Sequence, residues 1–394
     1  MNEKKKQHYV YGLDIHPTCF SAAKFPSEVK DILNAKPLLL QDKLKMEGFD
    51  KWLQKHTNAG DILVMEALGI SFQLVKRIEE HGRIGIVLES KKASKVGKDY
   101  LKNDKVDASK LAKLFLSGLT EQVWVPDYKT LERREIFFSY LNAVKDSTRS
   151  SSRIWAFLTA HGIIVSSRMK KNYKSNPDSL FELQEWSYAQ QGILKGYIGD
   201  YKQAQEKRKM FETIIAEEVT TDPDMLKLQQ FCGIRLISAY ALMAIIGNIK
   251  RFKNPKKLVA YIGLQPKVSD SGEKKHSGGI SKHGRRDLKA ILAECAKAFI
   301  NFAPKDHPMR KWALKLKYRK SANVVTIAIA RKLVTAIWYV LNGYSSPITE
   351  ISKSIKVKLQ KHAVSIGVKR RQELGFRNIS HFIEVKSETL LGFT

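Results

Sequence analysis

Only three cysteines occur in the 394 residues, Cys19, Cys232 and Cys295, far apart and with no Cys-x-x-Cys pair. That spacing excludes a disulfide framework and a zinc knuckle and fits a reducing cytoplasm. No apolar run approaches the roughly 20 residues that cross a bilayer, and the N-terminus, MNEKKKQHYVYGLDIH, passes from charge into a strand pattern without the apolar core of a signal peptide. A soluble protein with no membrane attachment is therefore expected. Acidic residues are scarce beside basic ones, 39 Asp and Glu against 69 Lys and Arg, for a formal charge of +30. Solubility alone does not need such an excess. It points to a polyanion held through counterion release, although a protein that merely coats nucleic acid would carry the same charge.

What is present suggests several domains, because a chain of this length with 43% hydrophobic residues can build two or three cores. From Tyr9 to about Gly118, short apolar runs alternate with amphipathic stretches: HYVYGLDI, TCFSAAKF, KPLLLQD, DKLKMEGFDKWLQKH, DILVMEA, ISFQLVKRIEEHG, RIGIVLES and NDKVDASKLAKLFLSG. These predict three strands, helix, strand, helix, strand, helix, the order of a ribonuclease-H-like α/β fold. From about Tyr128 to Lys227 the pattern predicts two long helices, broken near SSRMKKNYKSNPDS, that form either a bundle or a coiled-coil arm for a dimer contact. Met225 to Tyr344 reads as short helices with Gly-rich turns, an all-α unit, and the Lys-rich remainder as a basic appendage or small subdomain. The expected boundaries are 1–125, 126–226, 227–344 and 345–394.

Asp14 ends the first strand and Glu66 the fourth, so neighbouring parallel strands would set these carboxylates side by side. Asp104 and Asp107, three apart, share one face of the helix that packs on the sheet. Four carboxylates converging from three elements suit phosphodiester chemistry, since hard oxygen ligands hold Mg²⁺, or Mn²⁺, beside a phosphate. Each acid also has a purely structural explanation: a turn cap for Asp14, a strand-end surface acid for Glu66, an N-cap pair for Asp104 and Asp107. In FCGIRLISAYALMAIIGNIKRF a Gly-containing turn joins two apolar helical segments, the form of a helix-hairpin-helix. Gly233 and Arg235 are its candidate phosphate contacts. The stretch SDSGEKKHSGGISKHGRRDLK mixes Ser and Gly with cations ahead of a helix; Lys274, Lys275, Lys282, Arg285 and Arg286 could hold a phosphate that a serine attacks. Ser269, Ser271, Ser277 and Ser281 compete for that role, and spacing does not choose among them.

These motifs resemble the DEDD transposases of bridge-RNA-guided insertion sequences, whose relatives include the Piv site-specific DNA invertase. GLDIH, the E-x-x-G of Glu66 to Gly69 and NDKVDASKLA look like the family's acidic tetrad, and YIGLQPKVSDSGEKKHSGGISKHGRRDLK looks like its C-terminal signature; together they span about Tyr9 to Gly343. The resemblance implies a RuvC-like domain, an oligomerising helical arm, and a transposase domain whose serine, here Ser271, forms a covalent link to DNA. It further implies that the tetrad of one subunit works with the serine of another and that a structured guide RNA pairs with donor and target DNA. The expected setting is the cytoplasm beside a bacterial or archaeal nucleoid. Departures from the family pattern are Leu68 in place of a threonine, Cys232 in place of the hairpin proline, and Arg235 in place of a second glycine.

The leading expectation is thus strand exchange by a homo-oligomer acting on element ends and target. Two alternatives keep the tetrad: a junction resolvase with water as nucleophile, and a Piv-like invertase without guide RNA. A third, nucleic-acid binding without catalysis, predicts no divalent-ion requirement.

Overall fold

The computed structural model describes residues 8–32, 34–89, 104–271, 274–280, 284–345 and 352–391; within these, the side chains of 104–106, 267–279, 352–353 and 391 lie outside the description. The chain divides into two compact units, Met1–Asp127 and Tyr128–Thr394.

The first unit is built on a sheet of order β3-β2-β1-β4-β5-β6. Strands β1 (Tyr9–Ile15), β2 (Cys19–Pro26) and β3 (Leu39–Lys45) form an antiparallel meander; β4 (Ile62–Glu66) and β5 (Ile84–Leu88) then run parallel to β1. The crossovers run through α1 (Phe49–His56) and α2 (Ser71–Glu80). Strict alternation along β1 and β4 assigns the two faces. Tyr11, Leu13 and Met65 face α1 and α2 in a core with Phe49, Trp52 and Leu74. On the other face Val10, Val64 and Leu88 meet Ala108, Leu111 and Ala112 of α3 (Asp104–Leu116). The short strand β6 (Gln122–Val123) adds antiparallel to β5, an element the sequence pattern does not announce. The helix expected from Asp42 begins only at Phe49, because residues through Lys45 stay in the sheet: Leu44 pairs with Phe20, and Lys43, at φ 51°, takes up the irregularity between Phe20 and Ala22.

In the second unit, α4 (Tyr128–Ala160) and α6 (Tyr188–Thr221) are 33 and 34 residues long and lie antiparallel. Their direction is set by cross-links at successive levels: Arg133 to Glu218 and Asp222, Tyr140 to Glu212, Ser147 to Gln205, Arg153 to Asp200. Residues α4 buries, including Arg133, Phe137, Tyr140, Ser147, Ser150, Ile154 and Leu158, recur at mostly three- and four-residue spacing, which keeps one stripe against a partner helix. Between them lie α5 (Ser167–Ser175) and a short 3-10 segment, Pro177–Leu183.

A larger core follows. Helix α8 (Leu236–Ile246), after α7 (Pro223–Leu228), has nine of its eleven residues buried and lies against α4, α6, α7 and α10 (Arg286–Phe302), in one core with α9 (Pro255–Ile262) and α12 (Ala322–Leu341) and with α11 (Pro308–Lys317) at the edge. Contrary to the sequence expectation, α12 is long and apolar enough to cross a membrane. Its Val325, Ile329, Leu333 and Ile337 are fully buried in this core, which accounts for its composition. The Lys-rich tail is not a loose appendage: α13 (Ser352–Ile366), α14 (Val368–Glu373) and α15 (Ile379–Leu391) pack Leu359, Ala363 and Phe382 against Ala216 of α6 and Leu226 of α7.

Candidate functional site

The residues singled out from the sequence fall in two places, one in each unit. In the first, β1 and β4 pair in parallel with Leu13 opposite Met65; of the next residues, Glu66 ends β4 and Asp14 is the last but one of β1, so the two stand at the same edge of the sheet. Helix α3 lies on this face at unusually close range, because Gly12 has no side chain: a Cβ there would stand 1.9 Å from the Ala108 carbonyl oxygen and 2.8 Å from the Ala112 nitrogen. That contact fixes the helix along β1 and brings its first turn, with Asp107, toward the strand ends. Burial first, then the Asp14 carboxylate, then that of Asp107, push Glu66 above the ordinary carboxylate range.

Near them, His16 Nε2 is 3.7 Å from Asp14 Oδ2 and Lys110 Nζ is 3.7 Å from Asp107 Oδ1. Ser71 closes the turn after β4, its hydroxyl donating to the Glu66 carbonyl and accepting from the Leu68 amide. Asp104 is the first residue of α3, but its side chain lies outside the described residues. Among the described residues no three His, Cys, Asp or Glu side chains are gathered closely enough to hold a metal. Asp14 and Asp107 nevertheless act on Glu66 through space, so the three carboxylates share one electrostatic field. Hard oxygen donors of this kind suit Mg²⁺.

In the second unit Gly233 lies in the turn between α7 and α8 at φ +87°, and a Cβ on it would stand 2.3 Å from the Cys295 carbonyl oxygen on α10. Glycine is required there both by conformation and by close approach. Ser238 holds the end of the turn, its hydroxyl accepting from the Arg235 amide at 2.7 Å while the Arg235 side chain is exposed. From the C-terminal helices the buried Lys358 donates to the carbonyls of Gln229 and Phe231, each at 2.8 Å. A cavity of about 730 Å³ beside this turn is lined by Gly233, Arg235, Lys358 and Lys361, among others.

The serine-bearing stretch, which falls in the part expected to be all-α with Gly-rich turns, is instead an antiparallel hairpin of β7 (Pro266–Ser271) and β8 (Lys274–Ile280). Ser271 pairs with Lys274 and Asp270 with Lys275, so Ser271 is the last residue of its strand at the hairpin tip, whereas Ser269 and Ser277 sit farther down the strands. The side chains of these serines and lysines, and all of Ser281 and Lys282, lie outside the described residues. Arg285 leads into α10, its guanidinium paired with Asp287 at 2.7 Å, and Arg286 is exposed.

Two arginines that sequence reasoning missed join Arg285. Arg134 donates to the carbonyls of Ala244 and Ile245, and Arg251 to that of Ile246, so both cap the C-terminus of α8. Burial is the main cause that lowers the pKa of each, and the neighbouring guanidiniums lower it further. Arg134 lies on α4, over 100 residues from α8 in sequence, and no local pattern could have placed it there.

The profile of the Transposase IS116/IS110/IS902 family matches residues 225–310, which hold both the Gly233 turn and the Ser271 hairpin. The protein named as transposase y4qE from Sinorhizobium fredii is 25% identical over 301 residues, 69% of this chain and 73% of that one. The transposase for insertion sequence element IS1111A of Coxiella burnetii is 24% identical over 249 residues, 62% and 68% of the two chains. That for element IS1328 of Yersinia enterocolitica is 27% identical over 136 residues, 34% and 41%. By these likenesses this chain is a transposase, similar over residues 225–310 to the IS116/IS110/IS902 insertion-sequence family.

Proposed function

We propose that the chain is an RNA-guided DNA recombinase in which a RuvC-like unit supplies an acidic tetrad and the hairpin supplies a serine nucleophile. The observation that carries the reading is that Asp14 and Glu66, near the ends of adjacent parallel strands, lie in one electrostatic field with Asp107 on the first turn of α3. It occurs in a sheet of order β3-β2-β1-β4-β5, the strand order of ribonuclease-H-like folds. Asp14, Glu66, Asp104 and Asp107 would hold Mg²⁺, which when bound would polarise the phosphate and steady the oxygens entering and leaving it.

Ser271 loses its proton and its Oγ bonds to phosphorus; the bond from phosphorus to the departing strand breaks, and that strand's oxygen takes up a proton. The phosphoserine ester conserves the bond energy, so attack by a new strand end needs no ATP. Gly233, Arg235, Lys274, Lys275, Lys282, Arg285 and Arg286 hold DNA phosphates around this step. Guide RNA, homo-oligomerisation through α4 and α6, and action beside the nucleoid rest on the family resemblance.

Ser271→Ala tests the reading. Recombination and the covalent protein–DNA adduct are expected to vanish, and an undiminished adduct would overturn the assignment. Cleavage that survives in Ser271→Ala but fails in Asp14→Asn would favour a hydrolytic resolvase.

A further inference from the structure

From His307 to Thr349 the sequence contains no aspartate or glutamate but eight lysines and arginines. Helix α11, the turn after it and α12 carry all eight. Lys315, Lys317, Arg319 and Lys320 are exposed on the last turns of α11 and the turn itself, and Arg331 and Lys332 are exposed on α12. Among the described residues none of these six forms an ion pair. Cations gathered on one short stretch without counter-charge repel one another, and a polyanion relieves that repulsion.

At the centre of the cationic turn stands Tyr318, 91% exposed. Beside the turn Trp312 is 38% exposed, with the Lys332 ammonium 5.0 Å from its ring centroid. A tyrosine ring so fully out of the fold stabilises nothing by packing, whereas its free face among lysines is a platform for a nucleobase. Bases in a duplex already stack on one another and cannot use it. The turn lies outside residues 225–310 and includes none of the candidate phosphate contacts named above.

We propose that this turn binds an unpaired DNA strand, with a base stacked on Tyr318 and the adjacent phosphates on Lys317, Arg319 and Lys320. DNA is the strand handled by the chain's enzyme class, and strand exchange frees unpaired ends. The inference does not depend on the tetrad or on Ser271.

The test uses the full chain and fluorescence anisotropy with oligothymidylate, oligouridylate and a DNA duplex of equal length. Tyr318→Ala is expected to weaken oligothymidylate binding about 5- to 160-fold at fixed salt, as for loss of one aromatic stack, while duplex binding stays unchanged. Tyr318→Phe, which keeps the ring, is expected to bind as the parent does. The combined change Lys317→Ala, Arg319→Ala and Lys320→Ala should make the slope of log affinity against log salt shallower by about 2, the value for three single-strand phosphates. Unchanged affinity in Tyr318→Ala, equal weakening on duplex, or loss in Tyr318→Phe would overturn the stacking assignment. An unchanged slope would overturn the phosphate contacts. A larger Tyr318 effect on oligouridylate would replace DNA by RNA. Because every altered side chain is exposed, the melting temperature is the control for folding.

Discussion

Gly12 shows how much a single position contributes to the carboxylate site. It lies mid-strand, where glycine ordinarily weakens a sheet, yet a Cβ there would collide with backbone atoms of α3 rather than with a flexible side chain. Gly12→Ala must push α3 off β1, and the first turn with Asp107 moves with it. The expected cost is about 1–3 kcal/mol, as for overpacking a tight core, read by denaturant unfolding of the full chain. Divalent-dependent cleavage should fall more steeply than stability; a variant with parental stability would show that α3 does not depend on this contact. The individual acids were legible in the sequence because strand ends and helix faces follow from periodicity. The glycine was not, because its partner is 96 residues away on an element whose seat on the sheet is a tertiary fact.

At the scale of elements, the α4–α6 pair is pinned at one end by Arg133, whose buried guanidinium bonds Glu218 at 2.5 Å and Asp222 at 2.6 Å. Arg133→Ala would strand two partly buried carboxylates, a loss of about 3–5 kcal/mol by comparison with other broken buried pairs. Denaturant titration of the variant measures it, and a loss below ~1 kcal/mol would mean that the pair is solvated.

The C-terminal helices dock differently, through His362, whose Nε2 lies 2.6 Å from the Ala216 carbonyl and 2.9 Å from the Thr220 hydroxyl. Burial, opposed by the Ala216 bond and aided by Lys386, lowers its pKa to about 4. The unfolded chain therefore takes the proton first as pH falls. Stability from this site is complete above about 6.5 and is lost toward about 4, by up to ~1.4 kcal/mol per pH unit. Melting followed over that range should fall less steeply in His362→Gln than in the parent; parallel slopes would exclude His362 as the source. The long helices were plain from their spacing, whereas the β7–β8 hairpin and the docked tail were not. The Gly-, Ser- and Lys-rich hairpin segment has no apolar period; the tail repeats Ile355, Leu359, Ala363 and Ile366 at helical spacing, but only its packing partners on α6 and α7 reveal that this face is docked.

Across the whole molecule the charge is unevenly divided. Residues 1–127 carry 21 Lys and Arg against 17 Asp and Glu, and residues 128–394 carry 48 against 22, so the second unit holds +26 of the +30. Non-specific affinity for DNA follows cationic surface. A chain of residues 128–394, which contains its own largest core, should unfold cooperatively and retain nearly all of the parent's salt-dependent DNA binding. Residues 1–127 alone should bind weakly. Anisotropy over a salt series decides it, and comparable slopes for the two fragments would refute the partition.

Residue type and spacing alone determined the alternation of strands and helices in the first unit, the two long helices, the positions of the candidate acids and serines, and the attraction to a polyanion. These are properties of local period and net charge. Only the tertiary structure decided that Asp14, Glu66 and Asp107 share one field, that Ser271 stands at a hairpin tip, that three arginines gather at the end of α8, and that the tail is a packed wall. Each depends on residues distant in sequence, whose proximity is set by strand pairing and core packing rather than by any local pattern.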